Sequence, residues 1–114
     1  MPKGFQSRRT APTSPQMARL LDISGRRWSL RVAWELRQGP LNFRALRDAC
    51  GGISPGVLQS RLHEWRSVAV VEKIPRLGYR LTARGEQLFQ LLAPLSDWAA
   101  SSEQAGRHAR YTEH

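Results

Sequence analysis

The chain has 114 residues, enough for one domain with a modest apolar core but not for two. It carries 18 Lys plus Arg against 9 Asp plus Glu, a formal net charge of +9, and a surface so basic concentrates polyanions. Its apolar runs fall short of the roughly 20 residues a membrane-spanning helix needs, and its single cysteine, Cys50, has no partner for an intramolecular disulfide.

In chain order, "MPKGFQSRRTAPTSP" has no apolar segment of the signal-peptide kind, so it reads as neither leader nor anchor. Residues 1–14 are expected to be a flexible basic tail. Ser14-Pro15 is a helix start, a capping hydroxyl followed by proline at the first helical position. Met17, Leu20, Leu21 and Ser24 follow at helical spacing, and Gly25 closes the segment. In "RRWSLRVAWELRQGP", Trp28, Val32 and Leu36 recur every four residues, with Leu30, Ala33 and Trp34 widening the stripe until Gly39-Pro40 ends it. Asn42 is placed to cap a third helix, whose Phe43, Leu46 and Ala49 or Cys50 face inward before Gly51-Gly52 breaks it. Ser54-Pro55 repeats the start signal. "VAVVEKI" and "YRLTA" flank a Pro75–Gly78 turn and predict a β-hairpin. Thr82 then caps a last helix bearing Leu88, Leu91, Leu92, Leu95 and Trp98, with Pro94 as a kink candidate. Residues 101–114 lack an apolar period and are expected to be a second flexible tail, which leaves 15–100 as the domain.

The helix beginning at Ser54 carries the most information. At 100° per residue, Leu58, Leu62 and Trp65 cluster within roughly 60° of one another and anchor it on the core. Gly56, Gln59, Ser60 and His63 point the opposite way, with Arg61 at the boundary. That face has little charge but several short donors and acceptors, the side chains that read base edges in a major groove. Two capped helices joined by a Gly-containing turn form a helix-turn-helix, and the hairpin straight after them makes it winged. Lys73, Arg76 and Arg80 flank or form the hairpin turn, where a wing meets the sugar-phosphate backbone. Between Pro15 and Trp98 there are 13 basic and 7 acidic residues, so the excess of positive charge belongs to the folded part. The expected fold class is mainly α with a small β-hairpin wing. The expected partner is double-stranded DNA, with a recognition helix at about 54–66 and a wing at about 70–82, in the cytoplasm on the nucleoid.

Three stretches together resemble the HxlR-type winged-helix transcriptional regulators: "LLDISGRRWSLRVAWELRQGPLNFRALRDA", "GISPGVLQSRLHEW" and "YRLTARGEQL". The likeness spans about Met17 to Trp98. It implies a homodimer whose first and last helices pack across a two-fold axis and present two recognition helices to a pseudo-palindromic operator. Carried over by position, Ser54, Gly56, Gln59, Ser60 and Arg61 are expected at or near DNA. Arg27 and Arg44 are phosphate contacts or solvated surface, with nothing to choose between the two. Leu20, Leu21, Leu88, Leu92, Leu95 and Trp98 are the expected dimer residues. The chain departs from the pattern at several places. Pro15 stands where members often have a cysteine, which excludes thiol sensing there, and Cys50 replaces an apolar residue. Gly56 replaces a commonly basic residue, and the wing is short. Ala69 stands where the family prefers glycine.

An enzyme is the poorest fit. The three histidines, His63, His108 and His114, lie on the recognition face and in the tail, no cysteine or histidine spacing suggests a metal, and no glycine-rich loop follows a strand. No cofactor is implied and no effector is identified, although Trp28, Trp34 and Trp98 are candidates to line an effector pocket. The second reading is a winged-helix protein-interaction adaptor that has lost sequence-specific DNA binding, favoured by Gly56 and the short wing.

Overall fold

The computed structural model describes residues 13–113 in backbone and residues 13–101 in side chains. The expected N-terminal tail, apart from Thr13 and Ser14, lies outside the described residues. Five helices and one hairpin follow in order: α1 (Pro15–Ser24), α2 (Ser29–Glu35), α3 (Phe43–Cys50), α4 (Pro55–Ser67), β1 (Val71–Ile74), β2 (Gly78–Leu81) and α5 (Ala83–Glu113).

Each helix start that the sequence marks is satisfied by the marking residue. Ser14 Oγ accepts from the Met17 amide at 3.1 Å, Asn42 Oδ1 from Ala45 at 2.8 Å, and Ser54 Oγ from Val57 at 3.2 Å. Such caps satisfy amides that have no partner within the helix, each worth about 1 kcal/mol. The core joins Ile23 of α1, Val32 and Ala33 of α2, Leu36 directly after α2, Leu46 and Cys50 of α3, and Leu58, Leu62 and Trp65 of α4 to Val71, Tyr79 and Leu81 of the hairpin. On α1 only Ile23 is buried, while Met17 and Leu21 stay exposed, so the stripe read from the sequence is not the one that faces inward. Helix α2 itself begins only at Ser29, although Trp28 just before it is half-buried against the core as the stripe requires. Trp28 precedes the helix with φ 75°, a left-handed conformation unusual for so bulky a side chain, and Leu30 is exposed.

The hairpin pairs Val71 with Leu81 through Ile74 with Gly78, antiparallel. Its first strand starts three residues later than "VAVVEKI" suggests, because Val68–Val70 form a turn. Ala69 sits there at φ 63°, the left-handed region in which a Cβ costs about 1–2 kcal/mol. Glycine would relieve that strain and return about 0.5–1 kcal/mol of it through its greater freedom in the unfolded chain. Ala69→Gly is therefore expected to raise stability by about 0.5–1 kcal/mol, read as a higher urea midpoint at unchanged slope. A further strand partner was not legible in the sequence. Leu41 forms an isolated antiparallel bridge with Tyr79, Leu41 N–H to Tyr79 O at 3.0 Å and Tyr79 N–H to Leu41 O at 2.8 Å. Gly78 is what admits it: at φ 122°, any Cβ there would overlap the Leu41 carbonyl oxygen.

Thr82 caps α5 through its hydroxyl oxygen, which accepts from the Gly85 amide at 2.9 Å. Phe89 is buried and Leu88 and Leu92 are half-buried, but every described side chain from 93 to 101 is exposed. The helix continues to Glu113, past the boundary at 100 that the sequence suggests. Residues 99–113 contain one glycine and no proline among Ala, Glu, Gln and Arg, so backbone propensity sustains the helix where no apolar period marks it.

Candidate nucleic-acid interface

Helix α4 is divided as the wheel predicts. Leu58, Leu62 and Trp65 are fully covered, and Trp65 Nε1 donates to the Ser29 carbonyl at 2.8 Å, tying α4 to the start of α2. Gly56, Gln59, Ser60 and His63 are all exposed on the other side. Ser54 is exposed as well, but its hydroxyl is committed to the cap. The open face thus offers an amide, a hydroxyl and an imidazole, with the Gly56 backbone uncovered beside them.

Two of the expected arginines are held by carboxylates. The Arg61 side chain, at the boundary of the open face, is 17% exposed and its Nη1 lies 3.3 Å from Glu64 Oε1. Arg80 is exposed but pairs across the hairpin with Glu72 at 2.8 Å, so its charge is largely compensated. In both cases the carboxylate is one that the positional reading does not weigh, one turn along α4 for Arg61 and in the opposing strand for Arg80. Among the described residues, Arg44, Arg66, Lys73 and Arg76 are exposed with no carboxylate in ion-pair range, as are Arg19, Arg27, Arg37, Arg47 and Arg84. Arg66 was missed by the sequence reading. The signal was present, since it lies seven residues after Gln59 and hence near the same edge of α4. Arg27 is exposed, its guanidinium carbon 5.9 Å from the Trp28 ring.

The expected dimer residues divide into two groups. Leu20, Leu88 and Leu92 pack in part against the core of their own chain, whereas Leu21, Leu95 and Trp98 are exposed. Between α1, residues 67–70 and the start of α5 runs a groove of about 490 Å³ lined by Met17, Leu20, Val68, Leu88 and Leu91. A second groove, of about 370 Å³, is lined by Leu30, Trp34, Phe89, Leu92 and Leu95. Trp34 is the only one of the three candidate tryptophans in its lining, so those three do not converge on it. Cys50 is buried and burial pushes its thiol up, as for a small apolar filler. Among the described residues no group of three or more His, Cys, Asp or Glu is placed to hold a metal, and no helix is long and apolar enough to cross a membrane.

Two capped helices with a glycine turn, a hairpin directly after them and an uncovered polar face on the second helix define a winged helix-turn-helix protein. The family model described as HxlR-like helix-turn-helix matches residues 23–107. The chain belongs to the HxlR-like helix-turn-helix family. It is 32% identical over 91 residues to the HTH-type transcriptional regulator YvaP of Bacillus subtilis (strain 168), covering 75% of this chain and 84% of that one. Among solved structures, quinone-bound YodB of B. subtilis superposes with a TM-score of 0.70 at 27% identity, over 77% of this chain and 99% of that one. A MarR-family transcriptional regulator from Enterococcus faecalis V583 superposes with a TM-score of 0.68 at 30% identity, over 87% and 97% respectively.

Proposed function

We propose that the protein is a transcriptional regulator that binds double-stranded DNA sequence-specifically, with the open face of α4 in the major groove. Gln59, Ser60 and His63 meet base edges, Gly56 and the capped start of α4 approach a phosphate, and Lys73 and Arg76 of the wing rest on the backbone with Arg44 and Arg66. Arg80 contributes little while Glu72 holds it, and Arg61 stands back from the bases. The observation that carries the reading is the division of α4: its apolar side is sealed on the core and its polar side is left uncovered. A homodimer joined through α1 and α5 fits the apolar side chains exposed on both, Met17, Leu21, Leu91, Leu95 and Trp98. In that reading the operator is pseudo-palindromic and the protein acts in the cytoplasm, on the nucleoid.

The test is selection of duplexes from a random pool by the purified protein. Recovery of an inverted repeat supports partner and symmetry together. Indifference to duplex at low salt would favour the adaptor reading, to which the compensation of Arg61 and Arg80 lends some weight. Arg76→Ala is expected to weaken all duplexes about equally and to flatten the dependence of log affinity on log salt by about 0.9, the loss of one phosphate contact. A loss confined to one sequence would move Arg76 from the backbone to a base.

A further inference from the structure

One carboxylate on α4 has two cations on it. Glu64 Oε2 accepts from Arg26 Nη1 at 2.6 Å, and Glu64 Oε1 lies 3.3 Å from Arg61 Nη1. Arg26 follows α1 and also donates to Asp22 of that helix at 2.8 Å. The four charges alternate in sign along one path from α1 to α4 and sum to zero. Glu64, like Arg61, is only 17% exposed, so solvent screens this carboxylate less than it does a fully open pair. The two arginines are held unequally. Arg26 has hydrogen bonds to both carboxylates, whereas Arg61 Nε is buried without a hydrogen-bond partner and its Nη1 is kept close to Glu64 chiefly by charge. One turn further along, Ser67 Oγ donates to the Glu64 carbonyl at 2.6 Å and accepts from Arg19 of α1 at 2.9 Å. Helix α4 is therefore tied to α1 at two successive turns, with Glu64 in both ties.

Resting on the DNA-binding reading above, we propose that Glu64 is a positioning residue that restrains Arg61 beside the protein and so keeps a mobile cation off the reading face of α4. The consequence is for specificity. A free arginine on a recognition helix finds phosphate on any sequence, adding affinity that carries no sequence information. With Arg61 restrained, α4 presents Gln59, Ser60 and His63, groups that bind well only against matching base edges. The restraint is electrostatic, so removing the charge while keeping the shape is the discriminating change.

The experiment compares wild type, Glu64→Gln, Glu64→Asp, Arg61→Ala and the Glu64→Gln/Arg61→Ala pair on a random-sequence duplex across a salt series. Glu64→Gln is expected to bind the random duplex several-fold more tightly at low salt, with a slope steeper by about 0.9 for one added phosphate contact. Glu64→Asp, which keeps the charge, stays near the wild-type slope, and the double variant returns to it. An unchanged slope in Glu64→Gln overturns the proposal, and so does a flatter slope in Arg61→Ala alone, which would place Arg61 on phosphate already. NMR of the Arg61 Nε–H group gives a second readout on the free protein: side-chain motion is restrained in wild type and released in Glu64→Gln, and equal mobility in the two overturns the restraint. If no variant binds duplex, the DNA-binding reading fails and the NMR comparison still decides the restraint.

Discussion

Trp65→Ala is expected to lower the free energy of unfolding by about 3–5 kcal/mol, the range for removing a large aromatic side chain from a closed core. Trp65 is fully buried, so truncation leaves a cavity rather than a solvated gap. It also removes the indole N–H that donates to the Ser29 carbonyl at the start of α2. A domain of this size has about 5–15 kcal/mol to lose, so the variant is left marginal. The measurement is urea unfolding, with a lower midpoint at unchanged slope. A loss below about 1 kcal/mol would mean that α4 does not rest on Trp65. DNA affinity measured well below the midpoint should fall far less than stability, because the indole points away from the open face.

Gly85→Ala sets two effects against each other. By helix propensity alone alanine is better than glycine by about 1 kcal/mol, and Gly85 lies within α5. Its environment decides the sign. A Cβ at that position would overlap the Val70 carbonyl oxygen and stand 3.1 Å from the Val70 carbonyl carbon and 3.2 Å from Leu81 Cδ2. The obstacle is backbone, fixed on both sides, so it cannot swing aside as a flexible side chain would. The net expectation is a loss of about 2–3 kcal/mol, as for overpacking of a closed site. A stabilised variant would show that α5 can lift from the turn without cost.

How much of this was legible in the sequence depends on how far apart the partners lie. The Ser-Pro starts and the Asn42 cap act within three residues, and the division of α4 repeats within one helix, so local pattern was enough. Ala69 was legible only as a departure from the resemblance, which prefers glycine there; that its φ is 63° comes from the fold. Partners brought together only by folding were not legible. Leu41 meets Tyr79 and Arg26 meets Glu64 across stretches whose spacing carries no such signal. The Arg80–Glu72 pair across the hairpin was hidden for the same reason, whereas the Arg61–Glu64 pair, three residues apart on α4, was open to local reading and not weighed. Position places an arginine near a surface, but whether its charge is free depends on which carboxylate the fold delivers. The length of α5 was missed for a different reason: apolar periodicity marks what a helix buries, and residues 101–113, through which this one continues, carry no apolar period.

The short turn at Val68–Val70 ties these elements together. The Val70 amide donates to the Trp65 carbonyl in the last turns of α4, and its carbonyl accepts from the Thr82 amide where the hairpin ends. Thr82 Oγ1 reaches the Ala69 carbonyl, and Gly85 lies against Val70 itself. Three elements thus meet at a single residue, Val70. The start of the terminal helix therefore cannot be displaced without straining contacts that also anchor the end of the helix beginning at Pro55 and the base of the hairpin.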